Sequence, residues 1–213
     1  MHMPTLTARP RPWLPFGLVG MVVVWSALGA HDVATWWLEA IPAVLGLPLV
    51  WWLWPRFAWT PLAVWGMSLH AVVLLVGAHY TYALTPLGFW LQELFDFSRN
   101  HYDRIGHLAQ GFFPAMLARE VLRRQTPLQG GWLTFLVICF CLALSACYEL
   151  VEWWTALAIG AGADAFLATQ GDPWDTQWDM FLALCGALVS QLFFARAHER
   201  QIGRLGALTI DTL

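Results

Sequence analysis

The chain has 213 residues, 59% of them hydrophobic and only 12% charged, with 15 tryptophans. Soluble domains carry about 25% charged residues, so half the usual charge is missing and an integral membrane protein is expected. A net charge of −3 without a basic block gives no footing for nucleic-acid binding.

Six apolar segments follow in order, at residues 13–30, 36–54, 61–84, 105–122, 132–159 and 174–196. Each is close to the roughly 20 residues that a membrane-spanning helix needs. The second opens with WWLEAIP and closes with WWLW, as an interfacial tryptophan belt would. The fourth is the most polar, because it holds His107, Gln110, Arg119 and Glu120. Two arginines precede the first segment as in a signal peptide, but further spans follow, so a retained helix is expected. Cys139, Cys141, Cys147 and Cys185 all lie in apolar runs without a C-x-x-C pairing. They read as small hydrophobes rather than as a disulfide or zinc framework. The resulting fold class is all-α, a polytopic six-helix transmembrane bundle of one domain at 13–196. Residues 1–12 and 197–213 form the cytoplasmic N-terminal segment and tail.

Orientation rests on arginine, since the chain has no lysine. With six spans and both termini inside, the inner side collects Arg9, Arg11, Arg56, Arg119, Arg123, Arg124, Arg196, Arg200 and Arg204. The outer side keeps Arg99 and Arg104. That bias follows the positive-inside rule and supports the polar fourth segment as a span. On this topology Glu39, His79, Tyr80, Tyr82, Asp103, His107, Glu149, Glu152, Asp172, Asp175 and Asp179 all fall toward the outer end. The location expected is the bacterial inner membrane, with a polar site on the extracytoplasmic side.

Ionisable groups at membrane depth are costly and are kept for function or for pairing. Asp103 with His107, Glu149 with Glu152, and Asp175 with Asp179 each share a helix face. Helix bundles build carboxylate and histidine metal sites in this way. The candidate ligands are His79, Asp103, His107, Glu149, Glu152 and Asp179, a donor set suited to zinc, manganese or iron. A metal there lowers the pKa of bound water and polarises a carbonyl or phosphoryl oxygen. Without one, the carboxylates repel and take up a proton, which suits acid–base catalysis or a proton path.

As catalytic groups the candidates are Asp103, His107, Glu149, Glu152, Asp175 and Asp179. Arg99, Arg104, His101, Tyr102, Gln170 and Asp172 are the candidate substrate-binding groups, the arginines facing an anionic head group. The competing expectation is structural: Glu149 and Glu152 pair with Arg104 and Arg99 and lock the bundle. His70 reads as a packed polar residue, Asp164 as a solvated loop residue, and Arg123 and Arg124 as topology determinants. The stretch 168–180 carries more carboxylates than a helix cap needs.

Three stretches, RNHYDRIGHLAQG (99–111), SACYELVEWW (145–154) and ATQGDPWDTQWDM (168–180), resemble the signatures of the YjdF-like family. That resemblance covers residues 41–190 and implies a small polytopic bacterial inner-membrane protein without an established activity. The chain is also similar, more faintly, to VanZ-like membrane proteins. Their Asp-basic-x-x-His motif corresponds to 103–107, their Glu-x-x-Gln to 149–152 with Glu152 for glutamine, and their Asp-x-x-x-Asn-x-x-Gly to 179–186 with Ala183 for asparagine. The second likeness implies that the three motifs face one another. Together the residues lead to an enzyme acting on a lipid or lipid-linked envelope substrate. Its alternatives are a non-catalytic lipid- or partner-binding protein and a small ion or proton transporter. The inner halves of the segments hold few ionisable groups, which disfavours transport.

Overall fold

The computed structural model describes residues 11–160 and 164–210, with side chains of 164–165 and 206–210 outside that set. The described residues are helical and connecting, with no strand among them. Helix α1 (Trp13–Ala27) is apolar but, at 15 residues, only about 22 Å long. Helix α2 (Val33–Leu53) begins at Asp32, whose carboxylate accepts the Thr35 amide at 2.7 Å. That bond and the helix N-terminus hold the Asp32 carboxyl below its ordinary value. Helix α3 (Pro61–Tyr80) starts with Thr60 as N-cap and proline in its first turn. It ends earlier than the predicted residue 84, because Thr81 takes φ +60 and turns the chain into a 3₁₀ turn, Tyr82–Leu84.

An unpredicted short helix, α4 (Pro86–Phe95), follows. Its apolar residues Leu87, Phe89, Trp90, Leu94 and Phe95 are exposed. The chain then enters α5 (Tyr102–Gln125), α6 (Gly130–Ile159), the single turn α7 (Asp164–Leu167) and α8 (Asp175–Ile210). Asp164 thus opens a helical turn, and its side chain lies outside the described set, as does all of Arg9. Helix α8 runs past residue 196, so the expected tail starts as a continuation of the last helix.

By length and composition four of the described helices can cross a membrane: α2, α3, α6 and the Asp175–Leu205 part of α8. Helix α5 is long enough but carries Asp103, Arg104, Arg119, Glu120, Arg123 and Arg124. It is buried against α3, α6 and α8, so its charges face protein rather than lipid. The outer surface is the apolar one, with Phe135, Leu157, Leu192 and Phe193 all more than half exposed. This inverted distribution is what lipid as solvent selects.

Two apolar clusters set the frame. Val19, Trp36, Ala40, Ala71, Leu75 and Ala78 join α1, α2 and α3. Ala115, Leu133, Val137, Cys141 and Ala187 join α5, α6 and α8, with Cys141 packed as a small hydrophobe. The α5–α8 contact is the closest. A Cβ on Gly111 would lie 1.8 Å from the Ala183 carbonyl oxygen, and one on Gly186 would lie 2.1 Å from that of Leu108. Small residues let the two backbones touch, as they do in membrane helix pairs. That contact brings Asp103 and His107 to the same level as Asp175 and Asp179.

Candidate functional site

His107 is the centre of the polar cluster. Its Nδ1 sits 3.0 Å from the Gln110 Oε1 one turn on, so Nδ1–H donates to the amide oxygen. Its Nε2 faces Asp103 Oδ1 at 3.6 Å and Asp179 Oδ2 at 4.0 Å. A second carboxylate pair lies on the other side, with Glu149 Oε1 at 3.8 Å from Nδ1. Two triads therefore have ligand atoms within 4.8 Å of one another: Asp103–His107–Asp179 and His107–Glu149–Glu152. All are buried or nearly so. Glu149 Oε1 and Asp179 Oδ1 are buried without a hydrogen-bond partner, a costly state in a low-dielectric interior.

The arginines do not supply that partner. The expected pairing of Arg99 and Arg104 with Glu149 and Glu152 is replaced by a clamp on the loop before α8. Arg99 Nη2 reaches Asp175 Oδ1 at 2.6 Å and Asp172 Oδ2 at 3.4 Å, and its Nη1 donates to the Thr169 carbonyl. Arg104 Nη2 meets Asp172 Oδ2 at 2.8 Å, while its guanidinium lies over Trp178. The physical reason is reach along the chain: Arg99 precedes α5 and Arg104 points to the α8 side, whereas the glutamates project from α6. Asp175 thus parts from Asp179, one turn further along α8, which stays with His107.

Asp172 accepts the Trp174 amide at 2.9 Å. This backbone bond, then the two guanidinium groups, hold its carboxyl below the usual carboxylate range. His101, just before α5, is shifted downward by partial burial first, then by Arg104 and Arg99. Its ring stacks on Phe97 at 4.4 Å.

Other predicted site residues are engaged in building the fold. Gln170 accepts the Asn100 amide at 3.1 Å and donates to the Asn100 carbonyl at 2.7 Å, which ties the two loops together. Tyr102 is buried and its hydroxyl donates to the Val73 carbonyl at 2.9 Å. His79 belongs to neither triad. Its Nδ1 is 3.0 Å from the Ser26 carbonyl and its ring stacks on Trp25, so it fastens α3 to α1.

The structure adds residues that spacing alone did not single out. A cavity of about 100 Å³ is lined by Asp103, His107, Gln110 and Glu152 together with Glu39, His70, Tyr82 and Tyr148. His70, expected as a packed polar residue, stacks on Phe113 and leaves Nε2 buried without a partner. Glu39 is 1% exposed, with both carboxylate oxygens unpartnered. The signal available for Glu39 was an acid in an otherwise apolar helix. No pattern marked Gln110 or Tyr148.

The opposite end of α5 holds a second polar centre of a different kind. Glu120, fully buried, accepts from the Thr60 amide at 3.0 Å, the Thr60 hydroxyl at 2.7 Å and Arg124 at 2.8 Å, and faces His198 Nε2 at 3.0 Å. Arg119 bonds Gln191 and Glu199, and Arg123 bonds Glu199 at 2.6 Å. Arg123 and Arg124 are therefore tied into α8 and the start of α3, in addition to any part in topology.

A family model described as "Predicted membrane protein (DUF2238)" matches residues 11–200. The chain is similar to the inner membrane protein YjdF of Escherichia coli K12, at 48% identity over 190 residues, 89% of this chain and 91% of that protein. No solved structure matches.

Proposed function

The chain belongs to the DUF2238 family of predicted membrane proteins, and from that premise we propose that it is an inner-membrane enzyme. It crosses the bilayer six times, with both termini cytoplasmic and the His107 site toward the extracytoplasmic side. The site binds a divalent cation and acts on a lipid or lipid-linked envelope substrate. The observation that carries this reading is the set of buried acids around His107 that no arginine reaches. Asp179 Oδ1 and Glu149 Oε1 have no hydrogen-bond partner, and the nearby arginines are committed elsewhere.

Asp103, His107 Nε2 and Asp179 are the ligand set of choice, because Gln110 orients the imidazole from its other nitrogen, as outer-shell partners of metal-bound histidines do. A divalent ion held there supplies Lewis acidity toward a phosphoryl or carbonyl oxygen. Glu149, with its free oxygen, is placed to take a proton from water, and Glu152 beside it stores or returns one. Arg104, whose Nε is buried without a partner, receives the anionic part of a head group. The locking role once open to Glu149 and Glu152 suits Glu120 better, because Glu120 is fully hydrogen-bonded whereas Glu149 Oε1 has no partner.

The test is elemental mass spectrometry on detergent-purified protein. Near-stoichiometric zinc, manganese or iron is expected, retained in Arg104→Gln and lost in Asp103→Asn and His107→Ala. Wild-type protein that stays metal-free after incubation with all three ions overturns the reading.

A further inference from the structure

The two triads leave Glu39 unexplained. It lies on α2, joins neither set of ligand atoms, and still lines the same cavity with both oxygens free. Pro42, which interrupts the α2 hydrogen-bond ladder within a turn of Glu39, lines the cavity as well. Tyr82, Tyr148 and Phe166 add aromatic rings to the same lining. Among the described residues no arginine lines this space, and lysine is absent from the chain. Glu39, Asp103 and Glu152 are the acids of the lining, and Glu39 is the one that neither triad uses.

We infer that the Glu39 end of the cavity is a subsite for a primary ammonium group carried by the substrate. This rests on reading the cavity as the substrate site, not on the identity of the ion. A primary ammonium offers three N–H donors to the two free oxygens of Glu39, and the tyrosine and phenylalanine rings favour a cation by their π faces. A second metal ion would find only Glu39 and His70 as ligands outside the triads, short of the three protein ligands such sites use. The cavity volume of about 100 Å³ has room for a small aminoalkyl group, and the choice of a primary over a quaternary ammonium rests on the N–H donors that the latter lacks. With the phosphate of the same head group at Arg104, which lies outside this lining on Asp172 and Trp178, the substrate is zwitterionic.

Native mass spectrometry of the delipidated full chain tests this. The titrants are phosphatidylethanolamine, its N-trimethylated counterpart phosphatidylcholine, and amine-free phosphatidylglycerol, with O-phosphoethanolamine as soluble competitor. At least tenfold preference for the primary amine lipid is expected. Glu39→Gln, which conserves shape, is expected to abolish that preference while keeping its metal content and thermal midpoint. Competition by O-phosphoethanolamine assigns the subsite to the amine head group alone; lipid binding without competition assigns it to an intact amine lipid, and both support the inference. Equal binding of the three lipids by wild type overturns it, as does a preference unchanged in Glu39→Gln. The wild-type lipid series stands whether or not the variant folds. Amine preference in metal-free protein would keep this inference and remove the metal; metal without amine preference would do the reverse.

Discussion

Asp172 shows how one residue just before α8 ties charge to order. It collects Arg99, Arg104 and the Trp174 amide, and its carboxyl is held below the usual range. A folded value below the unfolded one means that the tie is complete above about pH 4 and is lost as pH falls through the lower folded value. Hydrogen-exchange protection of the Trp174 amide is therefore expected to be flat from pH 8 to about 5 and to fall in more acid solution. Asp172→Asn should lower that protection at neutral pH while leaving α6 amides unchanged; equal protection in the variant would remove Asp172 from the clamp. That Asp103 and His107 share a helix face could be read from their spacing of four. The sorting of Asp175 from Asp179, also four apart, could not, because it depends on where Arg99 lies across the bundle.

Among the elements, α5 and α8 carry most of the organisation. Their contact requires Gly111 and Gly186, where a methyl group would meet backbone oxygen at 1.8 and 2.1 Å. Gly111→Ala is expected to destabilise by about 1–3 kcal/mol, although alanine is the better helix former by about 1 kcal/mol. Gly20→Ala on α1, where a Cβ meets nothing within 4 Å, should be neutral or stabilising. Thermal midpoints of the two variants in one detergent check the opposite signs. At the other end of α5, Glu120→Ala leaves His198 and Arg124 without their shared acceptor. A loss of about 3–5 kcal/mol is expected, with metal content of the folded fraction unchanged. A stable Glu120→Ala would deny the network its locking role. Apolar length was enough to indicate α8, whereas the polar α5 leaned on the arginine bias. Helix α4 was missed because its ten residues are too few to span and sit among turn-forming Thr, Pro and Gly.

Across the whole molecule, lipid-facing surfaces are apolar and both polar centres are internal. Arg11, Arg56, Arg119, Arg123, Arg124 and the arginines of late α8 fall on the side of the Glu120 network under a six-span topology. Reporter fusions after Gln125 and at the C-terminus are thus expected to be active in the cytoplasm, and a fusion after Gly171 on the extracytoplasmic side; the reverse pattern would overturn the orientation. The membrane class, the helical segments and the polar ends of α5, α6 and α8 follow from the sequence by itself, because hydrophobic length and charge at membrane depth are local properties. Which acids meet was decided by tertiary structure alone. Glu39 and His70 reach the His107 cavity, His79 is drawn to α1, and the arginines turn to Asp172 and Asp175. Helical period fixes the face of a side chain within its own helix, whereas the rotation and contact of neighbouring helices are set by small residues such as Gly111 and Gly186 packing across the chain.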